Sequence, residues 1–157
     1  MGIEEDREVS KLPAIRVMER DDAAAVAVLI GQLGYQRSQD SVRGWIEELD
    51  GRANSQAAFV ACVEGEVVAW IEVSIERRLQ TPPFALIGGL VVKEGARGMG
   101  IGRRLCVQAE LWGRQRGVET LRVTSRSTRA DAHRFYLRDG YREVKMSVVF
   151  EKKLPGD

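Results

Sequence analysis

The sequence contains few of the residues that build disulfide scaffolds and metal centres. Its 157 residues include two cysteines, Cys62 and Cys106, and one histidine, His133. A secreted disulfide scaffold needs more cysteines, and a zinc site needs clustered ligands. The sequence therefore predicts two reduced, buried thiols and no metal.

Long apolar runs and an excess of one charge are also missing. No apolar run approaches the roughly 18 residues that a membrane-spanning helix needs, and the first residues, MGIEEDREVSKL, lack the apolar segment of a secretory signal. Lys and Arg number 24 against 23 Asp and Glu, which gives a net charge of +1. That balance offers no overall electrostatic attraction for nucleic acid or an anionic membrane. We expect a cytoplasmic protein without either partner.

The length and the pattern of elements predict one domain. Chains of about 100–200 residues usually form a single domain. Residues 1–12 are charged and aperiodic, which predicts a flexible tail before a domain over 13–153. Periodicity and turn residues predict, in order, strand 14–18, helices 23–33 and 41–49, strands 57–63, 67–75 and 84–92, helix 99–116, strand 120–124, helix 129–138 and a final strand within 141–152.

This order predicts an α/β (α+β) fold with a mixed sheet and helices on both faces. Three consecutive strands in the middle form an antiparallel meander, whereas strand–helix–strand in the second half implies a parallel pair. Thr81-Pro82-Pro83 is expected to break the chain. The pair Gly88-Gly89 interrupts an otherwise apolar strand, which indicates a bulge or a close approach of another group to the backbone.

The segment after that strand has the pattern of a phosphate-binding loop. Glycines at 98, 100 and 102 precede a long helix, and Arg97, Arg103 and Arg104 flank them. Helix N-termini expose N–H groups and carry partial positive charge, and glycine lets an anion approach them. The Walker A pattern is absent, since no Gly-Lys-Ser/Thr follows. The dinucleotide fingerprint fails because Arg103 stands where its third glycine belongs.

A second constellation lies near the end of the chain. It reads Ala132-His-Arg-Phe135-Tyr136-Leu-Arg-Asp-Gly140-Tyr141. Phe135 and Tyr136 are adjacent in a predicted helix, so they point to different sides of it. Taken alone, each aromatic ring would be interpreted as packing.

Together these two segments resemble the GNAT superfamily of acyl-CoA-dependent N-acyltransferases. Arg97-Gly-Met-Gly100-Ile-Gly102 matches the family's Arg/Gln-x-x-Gly-x-Gly/Ala motif, and the later segment matches its Ala-x-x-Phe-Tyr-x-x-x-Gly-Phe/Tyr pattern. The resemblance covers about residues 14–151. It implies a mostly antiparallel sheet of six to seven strands, with a splayed parallel pair around an acyl-CoA slot.

The resemblance also implies a ligand and a reaction. Acetyl-CoA would place its pyrophosphate on the loop and its pantetheine arm along the strand before it. An amine would attack the thioester directly, the N–H of Val91 or Val92 would stabilise the oxyanion, and Tyr136 would protonate the departing thiolate. The residues implied to bind the cosubstrate are Leu90, Val91, Val92, Arg97, Gly98, Met99, Gly100, Ile101, Gly102, Arg103, Ser125, Arg126 and Phe135. Ser125 and Arg126 stand where relatives often carry an Asn.

The general base is less defined by sequence. Leu86 and Ile87 occupy positions where many family members carry a Glu, so the nearest carboxylates are Glu72 and Glu76 on the preceding strand. Glu72 lies among apolar residues, where partial burial would raise its pKa, and it is the candidate base. His133 shares a helix with Tyr136, but its segment fits packing or capping better.

The acceptor is expected to be a primary amine of a small molecule, because the second motif resembles bacterial small-molecule and aminoglycoside-type acetyltransferases. Asp40, Glu47 and Glu48 could attract a cationic acceptor or could be a solvated helix face; Trp45 and Trp70 could line the acceptor slot or the core. A protein lysine or N-terminus as acceptor, or a non-catalytic acyl-CoA sensor or interaction module, remain as alternatives. An exposed edge on the final strand would offer a pairing surface for a homodimer.

Overall fold

The computed structural model describes residues 12–125 and 129–156, and the chain divides into two compact units at Thr124/Ser125. Most of the predicted tail, and the candidate residue Arg126, lie outside the described residues. The prediction of a single domain over 13–153 stays a prediction.

The first unit is a five-stranded sheet with three helices. Strand order follows the sequence, and every neighbouring pair is antiparallel except β4 with β5, which is parallel. This confirms the predicted mixed, mostly antiparallel fold. The elements are β1 Ala14–Val17, α1 Ala23–Gln32, α2 Gln39–Glu48, β2 Gln56–Val63, β3 Glu66–Arg78, β4 Thr81–Val92, α3 Ile101–Gln115 and β5 Leu121–Val123, with 3-10 turns at Arg20–Asp22, Leu49–Arg52 and Glu94–Ala96.

The helices cover opposite faces of the sheet. Val60, Trp70 and Val91 belong to a core cluster with the apolar faces of α1 and α2. Gly113 of α3 lies against Ala85, which is on the other face of β4. We call the face with Trp70 and Val91 the front face and the face against α3 the back face. Within the described chain, no helix is long and apolar enough to cross a membrane.

The connection between β2 and β3 shows why this part was predictable. Val63 pairs with Glu66, so only Glu64 and Gly65 form the loop. Both have positive φ, at 51° and 80°. That is the geometry of a type I′ turn, whose twist matches the twist of a hairpin.

A half-buried ion pair joins β1 to α1. Arg16 donates from both terminal nitrogens to Asp22, at 2.7 and 2.8 Å, and the N–H of Glu19 donates to the same carboxylate at 2.7 Å. Burial alone would raise the pKa of Asp22, but the hydrogen bonds from Arg16 and Glu19 and the Arg16 charge outweigh it and hold that pKa below its usual range. Asp22 therefore caps the junction as a carboxylate.

Two predicted boundaries were wrong. The second helix begins after Ser38, whose hydroxyl accepts from the N–H of Ser41, rather than after Asp40 or Ser41. β4 starts at Thr81 and runs through both prolines. Pro82 and Pro83 have no partner in β3, where the register shifts between Glu76 and Arg78, and β5 pairs only with Ala85–Ile87. Neither proline is therefore needed as a hydrogen-bond donor.

The second unit contains α4, Ala130–Arg138, followed by irregular chain to residue 156. The final predicted strand was therefore wrong, and the sheet has five strands among the described residues rather than six or seven. Within this unit the described residues offer 141–152 no strand to pair with, and a strand without a neighbour is not stable. The edge invoked for pairing with a second copy is likewise not found among them.

Candidate active site

The sheet opens at the middle of β4. Glu72 of β3 pairs with Gly89 and Val73 pairs with Ile87, so Gly88 is an extra residue, the predicted bulge. On the other side, β5 pairs with β4 only as far as Ile87. Among the described residues of the first unit, Gly88–Val92 have no strand on that side. The bulge and the end of β5 coincide, which creates a slot along the second half of β4.

Main-chain groups of β4 face this slot. The N–H of Lys93 donates to Val68 O at 2.7 Å, so Lys93 faces β3. Groups alternate along an antiparallel strand, so Val91 also faces β3 whereas Leu90 and Val92 face the slot. Of the two predicted oxyanion donors, the N–H of Val92 is therefore the one at the slot. The side chain of Val91 is buried in the front core, at 3% exposure.

A side chain from α1 holds the end of β4. Gln32 donates from Nε2 to Val92 O at 2.9 Å, and its Oε1 accepts from the N–H of Glu94 at 3.3 Å. One amide thus links the last residue of β4 to the turn that leads into the glycine loop.

The glycine loop has the backbone geometry that anion binding requires. Arg97 is extended, and Gly98 and Gly100 have φ of 85° and 75°, a left-handed region that other residues enter at a cost. Gly100 is the N-cap of α3, whose first turn contains no acidic residue. Ile101 is buried at 1% exposure and anchors the helix, while Met99 and Arg103 are exposed. Gly102 follows in the first turn. The first N–H groups of α3 lack partners within the helix.

Arg104 serves a different purpose from its neighbour Arg103. Its guanidinium donates to the main-chain oxygen of Pro13, at the start of β1. Arg104 therefore ties α3 to the sheet.

Glu72 lies on the front face at the level of the bulge. A Cβ placed on Gly88 would lie 3.2 Å from the Glu72 carboxylate, so the carboxylate is packed against the backbone where the slot begins. Burial raises the pKa of Glu72, and the hydrogen bond from Gln56 Nε2, at 3.0 Å, and the charge of Arg52 lower it in part. The net shift is upward, which suits a group that accepts a proton near neutral pH.

Glu76 and Trp70 are engaged differently. Glu76 lies four residues along the strand from Glu72 and accepts a hydrogen bond from Ser74 Oγ at 3.0 Å. Trp70 is 7% exposed in the core cluster, and a Cβ on Gly89 would lie 2.6 Å from its ring. Gly89 is thus required by the close approach of the Trp70 ring to the backbone. Trp45 also packs against that cluster.

The three acidic residues considered for a cationic acceptor each pair with an arginine. Asp40 and Arg43 lie 3.1 Å apart, Glu47 and Arg20 3.1 Å, and Glu48 and Arg52 3.6 Å. All three carboxylates are exposed. This is the pattern of a solvated helix face.

In the second unit, Tyr136 lies between two aromatic rings. Its ring centroid is 5.2 Å from that of Phe135 and 5.5 Å from that of Tyr141, both edge-to-face. Gly140, with φ of 94°, turns the chain so that the N–H of Tyr141 donates to Tyr136 O at 3.0 Å. This local packing explains the spacing of Tyr136, Gly140 and Tyr141 in the second motif. Ser125 lies at the start of the same unit, and the main chain of His133 continues α4.

The comparisons with known proteins agree with this geometry. The sequence profile of the Acetyltransferase (GNAT) family matches residues 16–141. An aminoalkylphosphonate N-acetyltransferase from Salmonella typhimurium is 33% identical over 135 residues, which cover 82% of this chain and 84% of the relative. The chain belongs to the GNAT family.

This family member is an enzyme, an N-acetyltransferase. An aminoglycoside N(6')-acetyltransferase type 1 from Serratia marcescens is 24% identical over 89% of this chain and 99% of the relative. The crystal structure of the aminoglycoside N-acetyltransferase AAC(6')-Iy in complex with CoA has a TM-score of 0.79 at 19% identity, covering 90% of this chain and 95% of that one. This last likeness concerns the fold.

Three contributors to the site carry no recognisable sequence signal: Gln32, Arg52 and Gln56. Each acts through a partner distant in sequence, as Gln32 does across 60 residues to Val92. A signal for Gln56 exists only once the β2–β3 register is known, because it faces Glu72 diagonally across the two strands.

Proposed function

We propose that this GNAT enzyme transfers an acetyl group from acetyl-CoA to the primary amine of a small molecule. The observation that carries the proposal is the coincidence of the β4 slot, the Gly98–Gly100 loop and the Glu72 carboxylate in one unit. Both relatives act on small amines by name, and a solved neighbour binds CoA. We further propose a bacterial, cytoplasmic enzyme, since both relatives are bacterial and acetyl-CoA is supplied inside the cell.

The cosubstrate would use main-chain contacts. The pantetheine arm would lie in the slot along Leu90–Val92 and accept a hydrogen bond from the outward N–H of Leu90. The pyrophosphate would rest on the N–H groups of Gly98 to Gly102, where the helix dipole and Arg97 and Arg103 add positive charge. Met99 and Ile101 would contribute main-chain N–H groups to this contact. These contacts use the groups that the structure directs away from β3.

The chemistry requires one proton acceptor and one donor. Glu72 takes a proton from the acceptor's ammonium, directly or through a water, so that a neutral amine attacks the thioester carbon. The oxyanion is stabilised by the N–H of Val92. As it collapses, the C–S bond breaks, the thiolate receives a proton, and the attacking nitrogen loses its second proton, which restores the donor and leaves a neutral amide. Tyr136 is the proposed donor, because a phenol is protonated at neutral pH. Its assignment rests on the motif, with Phe135, Ser125 and Arg126 as proposed neighbours of the cosubstrate.

The experiment is an assay of thiol release from acetyl-CoA across a panel of small amines. We expect Glu72→Gln to lower kcat by about 10²-fold or more, and Tyr136→Phe by a comparable factor, the usual range for general acid–base groups. Glu76→Gln is the matched control and should retain activity. Calorimetric titration with acetyl-CoA should give unchanged affinity in all three variants. Binding of acetyl-CoA without turnover of any amine, peptides included, would instead indicate a sensor.

A further inference from the structure

Two arginines share one aromatic ring on the front face of the sheet. The guanidinium carbon of Arg122 lies 4.2 Å from the centroid of the Phe84 ring, and that of Arg78 lies 5.1 Å from the same centroid. The Phe84 ring is almost completely covered, at 2% exposure. Two cationic groups, one from β3 and one from β5, therefore flank one side chain of β4.

This pair lies on the same face as Glu72. Leu86 pairs with Ser74 on one side and with Arg122 on the other, and residues in one row of a sheet share a face. Ser74 is two residues from Glu72, so Arg122 and Glu72 both belong to the front face. The core of α1 and α2 is built on Trp70 and Val91, nearer the other end of the strands. Glu72 lies at the edge of that core, opposite its member Ala58, and the strip from Ser74 to Phe84 lies beyond it.

The charges of the pair are not neutralised within the described chain. Neither Arg78 nor Arg122 forms an ion pair with a described carboxylate, whereas Arg16, Arg20 and Arg43 each do. Glu76 lies opposite Phe84 in the register, but its carboxylate accepts from Ser74 Oγ at 3.0 Å instead. A cation over an aromatic face is stabilised by about 0.5–1 kcal/mol when exposed, and this contact leaves the positive charge of each arginine in place. An anion that contacts both guanidiniums would neutralise both charges.

We propose that Arg78 and Arg122 bind an anionic group of the acceptor, so that the substrate is a primary amine that also carries a phosphonate, phosphate or carboxylate. This rests on the proposed function, because it takes Glu72 as the point where the amine reacts. Guanidinium forks suit oxyanions through paired, charge-assisted hydrogen bonds. The subsite narrows the proposed substrate class from any small primary amine to an amine that also carries an anionic group.

The register also sets the length of the acceptor. Glu72 and Glu76, which lies opposite Phe84, are four residues apart, or about 13 Å at roughly 3.3 Å per residue. Hydrogen bonds of about 3 Å at each end leave roughly 7 Å between the amine nitrogen and the anionic group. A short aminoalkyl acid cannot span this distance, and one with several methylene groups can.

The test compares matched amines. Pentylamine, 5-aminopentylphosphonate and 2-aminoethylphosphonate are assayed with acetyl-CoA by thiol release. We expect the wild type to show a KM about tenfold or more lower for 5-aminopentylphosphonate than for pentylamine, since one charge-assisted bond has that value. The short phosphonate should not share the advantage. Arg78→Gln with Arg122→Gln should abolish the preference, and Arg122→Lys should retain part of it.

Controls separate the subsite from the fold and from the proposed function. Arg77→Gln removes the same charge from the exposed neighbour and should keep the preference. Calorimetric titration of 5-aminopentylphosphonate onto the CoA-bound protein gives a readout without turnover. Equal KM values for the two pentyl compounds in the wild type would overturn the subsite and leave acetyl transfer standing. Binding that depends on the arginines, without turnover of any amine, would support the subsite and refute the proposed function. Neither binding nor turnover would overturn both.

Discussion

Gln32 and Val92 are joined by a hydrogen bond of 2.9 Å from the side-chain amide to the main-chain oxygen, which fastens α1 to the last residue of β4. The same amide accepts from the N–H of Glu94 at 3.3 Å. One side chain of α1 thus fixes the position of the slot relative to the glycine loop.

Replacing this amide should affect the cosubstrate more than the acceptor. In Gln32→Leu, two neutral hydrogen bonds are lost, so we expect the free energy of unfolding to fall by about 1–2 kcal/mol. The KM for acetyl-CoA should rise several-fold, because the Val92 N–H and the loop are no longer fixed, while the acceptor KM changes little. Gln36→Leu, at an exposed loop position, is the control. An unchanged KM for acetyl-CoA in Gln32→Leu would contradict the positioning role.

The left-handed glycine at the start of α3 should be indispensable for CoA binding. A side chain at φ of 75° costs about 1–2 kcal/mol, so Gly100→Ala either strains the loop or shifts its N–H groups. We expect the Kd for CoA, measured by calorimetry, to rise about tenfold or more. Gly95→Ala lies in the same connection without a positive φ and should bind normally. Equal losses in both variants would show that the loop tolerates no change at all, rather than requiring this geometry.

The pH profile should report on Glu72. The base must be ionised, so kcat/KM should fall as pH drops through the pKa of Glu72, and burial places that acid limb above the pH expected of an ordinary glutamate. Gln56→Leu removes the hydrogen bond that favours the carboxylate, so the limb should move further up in pH. Gln80→Leu, in the exposed β3–β4 turn, should leave the profile unchanged. A limb that did not move in Gln56→Leu would remove Glu72 from the rate-determining proton transfer.

Asp22 should contribute stability that depends on pH. Asp22→Asn leaves Arg16 with a weaker partner, and we expect the free energy of unfolding to fall by about 1–3 kcal/mol at neutral pH. Since the folded pKa is lowered, the contribution is complete above the unfolded value of about 3.9 and is lost as pH falls through the lower folded value. Asp21→Asn is the exposed control. The measurement is a denaturant melt of each protein from pH 3 to 7. The free energies of unfolding of Asp22→Asn and wild type should converge only at the acid end, whereas Asp21→Asn should follow the wild type.

Local signals made much of the fold predictable. The tight hairpin turn between β2 and β3, the glycine that ends α1 and the apolar spacing of α3 each act within one turn of chain, so the sequence predicts them correctly, although the turn is one residue shorter than predicted. The bulge was also predictable, because glycines such as Gly88 and Gly89 inside an apolar strand typically mark a bulge or a close approach to the backbone. Both GNAT motifs lie on the loop and helix where they were expected.

The remainder depends on contacts between residues distant in sequence. Pro82 and Pro83 are compatible with a strand because neither β3 nor β5 pairs with them. The choice of Val92 over Val91 follows from the register with β3, and the pairing of Arg78 with Arg122 follows from the order of three strands. None of these can be obtained from one segment alone.

Because β5 is short, the cosubstrate should also affect whether the enzyme associates with itself. It covers three residues of β4, and among the described residues of the first unit the following five keep one edge of main chain open. An open edge of apolar strand is a template for pairing with other chains. A pantetheine arm that bonds along this edge closes it as a neighbouring strand would. Saturation with acetyl-CoA should therefore protect the enzyme against self-association, and depletion of the acetyl donor would cost it solubility as well as turnover.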